Sequence, residues 1–171
     1  MITRIGTNTK QALKKIISPI TNVPAKSFAN PSVKDNIAPD IIKNKIPVMG
    51  HLGLLPQSDT TFKFKGKKIS ERNEILKDAK LLEKAGVFSI VLECIETSLA
   101  KLITQNIKVP TIGIGSSKYC DGQILVFDDL IGLNSVNYKF IKKYSNIRRE
   151  ISKAVSNYSK EVRKIKFPNK K

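Results

Sequence analysis

The sequence is poor in the residues that bind metals through sulphur or nitrogen. Only two cysteines, Cys94 and Cys120, and one histidine, His51, occur in 171 residues. The cysteines are too far apart for the Cys-x-x-Cys spacing of a zinc site or a redox pair. This scarcity excludes a cysteine-based zinc domain, and the apolar residues before Cys94 predict that it is buried at the end of a strand.

Long apolar runs are absent as well. No stretch of ~18 uncharged apolar residues, the length that a membrane-spanning helix needs, occurs in the sequence. The N-terminus carries Lys10, Lys14 and Lys15 and lacks the continuous apolar segment of a secretory signal. With 40% hydrophobic and 26% charged residues, the composition is typical of a globular domain. We therefore expect a cytoplasmic protein without a membrane partner.

Acidic residues are scarce, since 14 Asp and Glu stand against 31 Lys and Arg and the formal net charge is +17. A basic surface can attract nucleic acid through its phosphates. However, only five of the basic residues are Arg, the side chain that phosphate and base recognition favours, and the lysines are spread along the chain. We therefore do not expect a nucleic-acid partner. A basic patch that binds another macromolecule remains the alternative.

The chain has an irregular beginning and a regular remainder. Residues 1–36 contain three prolines among Ser, Thr and Asn, which indicates a loosely ordered segment. From residue 37 the apolar pattern alternates between helix and strand periods. The predicted elements are a helix around 41–42, a strand at 46–49, a helix capped by Ser70 and stopped at Gly86, a strand at 88–92, a helix at 97–105, strands at 109–114 and 122–127, and an amphipathic helix at 147–162.

This alternation predicts a parallel α/β fold, either an open sheet or a (β/α)₈ barrel. In both architectures, side chains at the C-terminal ends of the strands face the functional site. Candidates at such positions are His51, Glu93, the glycine turn at 113–117, and the region of Asp121 and Asp128. Since a full barrel needs ~250 residues, this chain could supply about half of one.

The residues alone leave the roles of these candidates open. Glu93 emerges from an apolar strand, as suits a general base, but a strand-end Glu can also form an ion pair with a lysine. His51 follows an apolar strand in a glycine-flanked loop, where it is either functional or a hydrogen-bonded structural residue. The turn at 113–115 has too few glycines for a dinucleotide fingerprint, and its simplest interpretation is a tight strand-to-loop turn.

Four segments resemble blocks of one enzyme family in order and spacing. They are IPVMGHLGLLPQS at 46–58, IVLECI at 90–95, PTIGIGSS at 110–117 and CDGQILVFDDLIG at 120–132. Together they resemble the C-terminal half of ketopantoate hydroxymethyltransferase, an enzyme of pantothenate biosynthesis. The resemblance implies that residues 37–171 form the C-terminal part of a (β/α)₈ barrel and that residues 1–36 are a divergent segment.

The resemblance also implies a reaction, the transfer of a one-carbon unit from 5,10-methylenetetrahydrofolate to 3-methyl-2-oxobutanoate, giving 2-dehydropantoate. By motif position Glu93 is the proton acceptor, and His51 lines the substrate pocket. The family binds Mg²⁺, which chelates the keto acid, and often assembles as decamers, so Mg²⁺, a folate and a homo-oligomer are expected. The family's metal-binding aspartates lie upstream of the matched region, and no metal ligand is assigned in this chain.

Two hypotheses about activity remain open. In the first, the chain is a truncated or rearranged hydroxymethyltransferase that needs a complementing N-terminal half or a second copy. In the second, it is an inactive remnant or a non-catalytic subunit that binds a partner through its basic surface. A neighbouring reading frame that encodes the absent strands would favour the first, and lysines clustered on one face would favour the second.

Overall fold

The computed structural model describes residues 37–55, 63–135, 138 and 140–169. The predicted loosely ordered segment, residues 1–36, lies outside these ranges. The chain divides between Ile124 and Leu125 into two compact units.

The first unit alternates helices and strands along the chain. Its elements are α1 (Ile37–Lys43), β1 (Met49–Gly53), α2 (Ile69–Ala85), β2 (Ser89–Glu93), α3 (Thr97–Asn106), β3 (Thr111–Ile114) and β4 (Gly122–Gln123). The four strands form one sheet in the order β1-β2-β3-β4, and every neighbouring pair is parallel. The predicted parallel α/β fold is confirmed.

Helix α2 covers one face of this sheet, and its sequence explains why. Ile75, Ala79 and Leu82 recur at helical spacing and are all buried, as predicted. Gly86 ends the helix in the left-handed conformation, at φ 91°, and its N–H is directed to the carbonyls of Leu82 and Glu83. The predicted cap at the other end is wrong, because α2 begins at Ile69, before Ser70, and no side chain caps it.

Strand β2 lies in the middle of the core. Ile90 and Leu92 have no exposed surface, as expected for a parallel strand covered on that face by helices. The hydroxyl of Ser89, the polar residue at the beginning of the strand, donates a hydrogen bond to the carbonyl of Pro110 at 2.9 Å. The predicted strand is therefore confirmed within one residue at each end.

Strand β1 begins later than predicted, at Met49 instead of residue 46, and it includes His51. Parallel pairing continues from Met49 opposite Ser89 to Gly53 opposite Glu93, so the glycines do not end the strand. Gly50 is needed inside it, because a Cβ there would lie 2.8 Å from Cδ1 of Leu82 on α2. The prediction that His51 sits in a loop after the strand is wrong.

The last two strands of the sheet are shorter than predicted. β3 spans Thr111–Ile114 instead of beginning at 109. β4 is only Gly122–Gln123, because its pairing with β3 is limited to Ile112 opposite Gly122 and Gly113 opposite Gln123. The predicted continuation of β4 to residue 127 is wrong.

The second unit contains a short helix, α4 (Phe127–Leu130), and a long one, α5 (Ile147–Arg163). Asn146 caps α5, since its side-chain oxygen accepts a hydrogen bond from the N–H of Arg149 at 3.2 Å. The predicted long helix is confirmed, but none of its residues is buried. Across the described part of the chain, helices are too short or too polar to cross a bilayer.

Candidate active site

The C-terminal ends of β1 and β2 bring His51 and Glu93 together. In the parallel register Gly53 pairs with Glu93, and His51 pairs with Val91, so the side chains of His51 and Glu93 share one face of the sheet. Because Gly53 carries no side chain, the imidazole can reach diagonally across to the carboxylate. Nε2 of His51 lies 3.1 Å from Oε2 of Glu93.

This pair is shielded from solvent but accessible. The side chains of His51 and Glu93 are 20% and 14% exposed, respectively. The atom Nε2 is itself buried, and within the described residues it has no partner with hydrogen-bond geometry despite its distance from Oε2. The site therefore contains a polar nitrogen whose hydrogen-bonding capacity is unsatisfied, which is uncommon in protein interiors.

Gly53 makes the close approach of the two strands possible. Its φ is +104°, and a Cβ built on it would lie 2.0 Å from the carbonyl oxygen of Glu93. That oxygen also accepts a hydrogen bond from the N–H of Leu54 at 2.8 Å. Both the conformation and the space require glycine here.

Cys94 directly follows the last residue of β2, Glu93, and changes the direction of the chain there. It adopts a left-handed backbone conformation, with φ 49°. Its N–H donates to the carbonyl of Ile114 at 3.0 Å, and its own carbonyl accepts from the N–H of Lys65 at 2.8 Å. Burial, with a smaller contribution from the charge of Glu93, raises the pKa of the thiol to about 11. The prediction of a buried strand-end cysteine is confirmed, and the protonated thiol is a poor nucleophile.

A second carboxylate near the site, Glu96, has a structural task that sequence reasoning missed. It caps α3 by accepting hydrogen bonds from the N–H and hydroxyl of Ser98 and from the N–H of Leu99, and it contacts Arg72 at 3.2 Å. The bonds from Ser98 are the main cause that lowers its pKa to about 2. The signal was present in the sequence, because an acidic residue directly precedes the polar first turn of a predicted helix.

The remaining candidates divide between the two edges of the sheet. The turn after β3 lies at the same edge as Glu93, since Ile114 pairs with Glu93 and the hydroxyl of Ser116 donates to the carbonyl of Ile95 at 3.1 Å. Asp121 lies at the opposite edge, where its Oδ2 accepts from the N–H of Thr111 at 2.8 Å. The expectation that Asp121 joins the site is wrong. Asp128 belongs to the second unit.

Comparison with known proteins identifies the family. Residues 8–170 match the family described as ketopantoate hydroxymethyltransferase. The chain belongs to this family. The sequence motifs predict that the similarity starts at residue 37. The family match starts earlier, at residue 8.

Several relatives carry the name 3-methyl-2-oxobutanoate hydroxymethyltransferase. The protein from Pelagibacter ubique is 59% identical over 167 residues, which cover 96% of this chain and 65% of the relative. Those from Clostridium botulinum (strain Langeland) and Pseudothermotoga lettingae are 51% and 52% identical over 77% and 75% of this chain, or 49% and 50% of their own lengths. The chain thus spans from about half to about two thirds of the length of these curated relatives.

Mg²⁺, which the family resemblance implies, does not fit the described residues by themselves. Mg²⁺ takes oxygen ligands in octahedral geometry and usually one or two carboxylates. Within 37–55, 63–135, 138 and 140–169, no group of three or more His, Cys, Asp or Glu is placed to hold a metal ion. Around Glu93 the neighbouring groups are an imidazole and a protonated thiol, which are not the donors that Mg²⁺ prefers.

Proposed function

We propose that this chain takes part in hydroxymethyl transfer from 5,10-methylenetetrahydrofolate to 3-methyl-2-oxobutanoate, which yields 2-dehydropantoate. The names of relatives up to 59% identical support this substrate. The observation that carries the proposal is the placement of Glu93. Its carboxylate ends a buried parallel strand, is 14% exposed, and lies beside the one histidine of the chain.

In the proposed reaction Glu93 is the base. The hydrogen on C3 of the keto acid is acidic because the adjacent carbonyl can take up the charge as an enolate. The carboxylate of Glu93 accepts this proton, and C3 of the enolate forms the new bond to the one-carbon unit. The two bonds from this carbon to the folate nitrogens break, water supplies the hydroxyl oxygen, and tetrahydrofolate leaves. A carboxylate suits this task when it is shielded from bulk water and still reachable by substrate, which describes Glu93.

We further propose that the four parallel strands are part of a (β/α)₈ barrel, of which this chain covers roughly the C-terminal half. Two observations support this. Within the described residues, the outer strands β1 and β4 each pair on one side only. Each of them can therefore pair with a further strand on its free side. The site also lies at the C-terminal edge of the strands, where barrel enzymes have theirs.

The whole enzyme would be cytoplasmic and a homo-oligomer, with the folate and Mg²⁺ as co-substrate and cofactor. Mg²⁺ would need carboxylates other than those described, and no step assigned to Glu93 passes through it. A complementing N-terminal half, supplied by another chain, is the second form of partner that we propose.

The experiment that tests this function follows exchange of the C3 proton of 3-methyl-2-oxobutanoate in D₂O by NMR. The full chain is assayed with Mg²⁺, alone and after co-expression with the part of the Pelagibacter ubique protein outside the aligned 167 residues. Glu93→Gln should lower the exchange rate at least about 100-fold, since it removes the base and keeps the shape. Glu74→Gln, on the outer surface of α2, is the matched control and should exchange at the wild-type rate. Exchange by Glu93→Gln at that rate would refute the assignment.

A further inference from the structure

The geometry of the contact between His51 and Glu93 suggests a role for the histidine. Nε2 approaches a single carboxylate oxygen, Oε2, to 3.1 Å. The approach comes from the neighbouring strand, whose register is set by five consecutive parallel pairs. This register fixes the backbone positions of His51 and Glu93 relative to each other, so the imidazole stays beside the carboxylate.

Nothing else in the described structure engages the nitrogen. Nε2 is buried, and no hydrogen-bond partner is present for it in the described part of the chain. A buried polar atom without a hydrogen-bond partner destabilises a fold and is uncommon in protein interiors, so its presence here indicates a use. A small rotation of either side chain would turn the 3.1 Å approach into a hydrogen bond from Nε2–H to Oε2.

We propose that His51 is a positioning residue for Glu93, rather than the substrate contact that its motif position implies. The Nε2–H bond holds Oε2 of Glu93 and thereby aims Oε1 at the C3 hydrogen of the keto acid. This rests on the proposed function, in which Glu93 is the base. His51 itself neither gains nor loses a proton in the step.

Kinetics of C3 exchange separate positioning from substrate contact. His51→Phe keeps the ring shape and removes the nitrogen, and it should lower kcat about 10- to 100-fold, because a base misplaced by about an ångström loses that much. KM should stay within about threefold, since His51 does not touch the substrate. His51→Gln returns an N–H donor and should recover part of kcat. A raised KM with wild-type kcat would overturn the proposal in favour of a substrate contact.

A double variant tests whether His51 acts through Glu93. If it does, combining His51→Phe with Glu93→Gln should lower the exchange rate no further than Glu93→Gln alone. A further loss equal to that of His51→Phe in the wild-type background would show an independent role and overturn the proposal.

An NMR measurement examines the contact without any activity. His51 is the single histidine, so ¹⁵N-labelled full-length chain gives one set of imidazole signals. At fixed pH, Glu93→Gln should shift the Nε2 signal, whereas Glu74→Gln should leave it in place. The inference would be overturned if the Nε2 chemical shift did not change in Glu93→Gln and His51→Phe catalysed C3 exchange at the wild-type rate. The proposed function would still stand in that case. No C3 exchange by the wild-type chain in either assay form would overturn both, even if the Nε2 signal responds.

Discussion

The N-terminal and C-terminal edges of the central sheet, where the parallel strands begin and end, differ in how completely their polar groups are hydrogen-bonded. At the N-terminal edge the N–H of Thr111 donates to Asp121 at 2.8 Å, and the Thr111 hydroxyl lies 2.8 Å from that of Thr104. At the C-terminal edge the buried Nε2 of His51 has no hydrogen-bond partner among the described residues. Closed hydrogen-bond networks stabilise a fold, whereas an unsatisfied buried group indicates a place kept for function.

Left-handed backbone, in contrast, occurs at both edges. Gly53, Cys94 and Gly115 adopt it at the C-terminal edge, and Lys45 and Gly86 adopt it shortly before β1 and β2. The two edges therefore differ in their hydrogen bonds and not in backbone strain. The comparison teaches that the N-terminal edge holds the strands together, whereas the C-terminal edge leaves a buried polar atom of the candidate site without a partner.

The largest effect expected at the site edge comes from Gly53→Ala. The new Cβ would collide with the carbonyl of Glu93 at 2.0 Å and would also adopt an unfavourable φ. We expect a loss of about 3 kcal/mol in the free energy of unfolding, measured by urea denaturation, and loss of C3 exchange.

A matched control for Gly53 is Gly86→Ala. Gly86 has a similar φ of 91°, but its nearest neighbour would be 3.7 Å away, so only backbone strain remains. We expect about 1 kcal/mol there. Equal losses for both variants would show that the crowding beside Glu93 is not the cause.

The next effect concerns the opposite edge. Asp121→Ala removes the acceptor of the N–H of Thr111, whose residue is buried, and should lower the free energy of unfolding by about 2 kcal/mol. C3 exchange per folded molecule should not change, because this carboxylate is remote from Glu93. Asp121→Asn, which keeps an acceptor oxygen, should lose less. A drop in exchange by folded Asp121→Ala would break the division between the edges.

The smallest effect sharpens the comparison, because Glu96 lies at the site edge but is fully hydrogen-bonded. Its pKa is lowered from the ordinary 4.5 to about 2 when the chain folds, so its contribution to stability is present above pH 4.5 and is lost as the pH falls toward 2. Glu96→Gln should cost about 1 kcal/mol at pH 7, as loss of a helix cap does.

The pH dependence supplies the control for Glu96. Urea midpoints of the wild type and of Glu96→Gln should converge as the pH falls from 4.5 toward 2, since the neutral carboxyl of the wild type then caps α3 no better than the neutral amide of the variant. A difference that persists at low pH would mean that the carboxylate charge is not what caps α3.

Local pattern predicted much of the first unit but not its strand ends. The helical spacing of Ile75, Ala79 and Leu82 and the stop at Gly86 are properties of a short stretch of sequence, and both are confirmed. Strand ends depend on a partner strand that is distant in sequence. For this reason the local pattern predicts a strand end at Gly50, whereas pairing with β2 continues through it. The cap by Glu96 was missed because an acidic residue before a helix can equally face solvent, and only the fold shows that the N–H groups of Ser98 and Leu99 donate to its carboxylate.

The sequence by itself determined the parallel α/β alternation, the family, and the position of Glu93 at the end of an apolar strand. Each of these follows from the apolar periodicity or the motifs of consecutive residues, which can be interpreted without knowing what the segment contacts in the fold. Only the tertiary structure decided that His51 lies within β1 and reaches Glu93, and that Asp121 belongs to the opposite edge. The physical reason is that the register between parallel strands follows from side-chain packing on α2 and from hydrogen bonds between residues far apart in sequence.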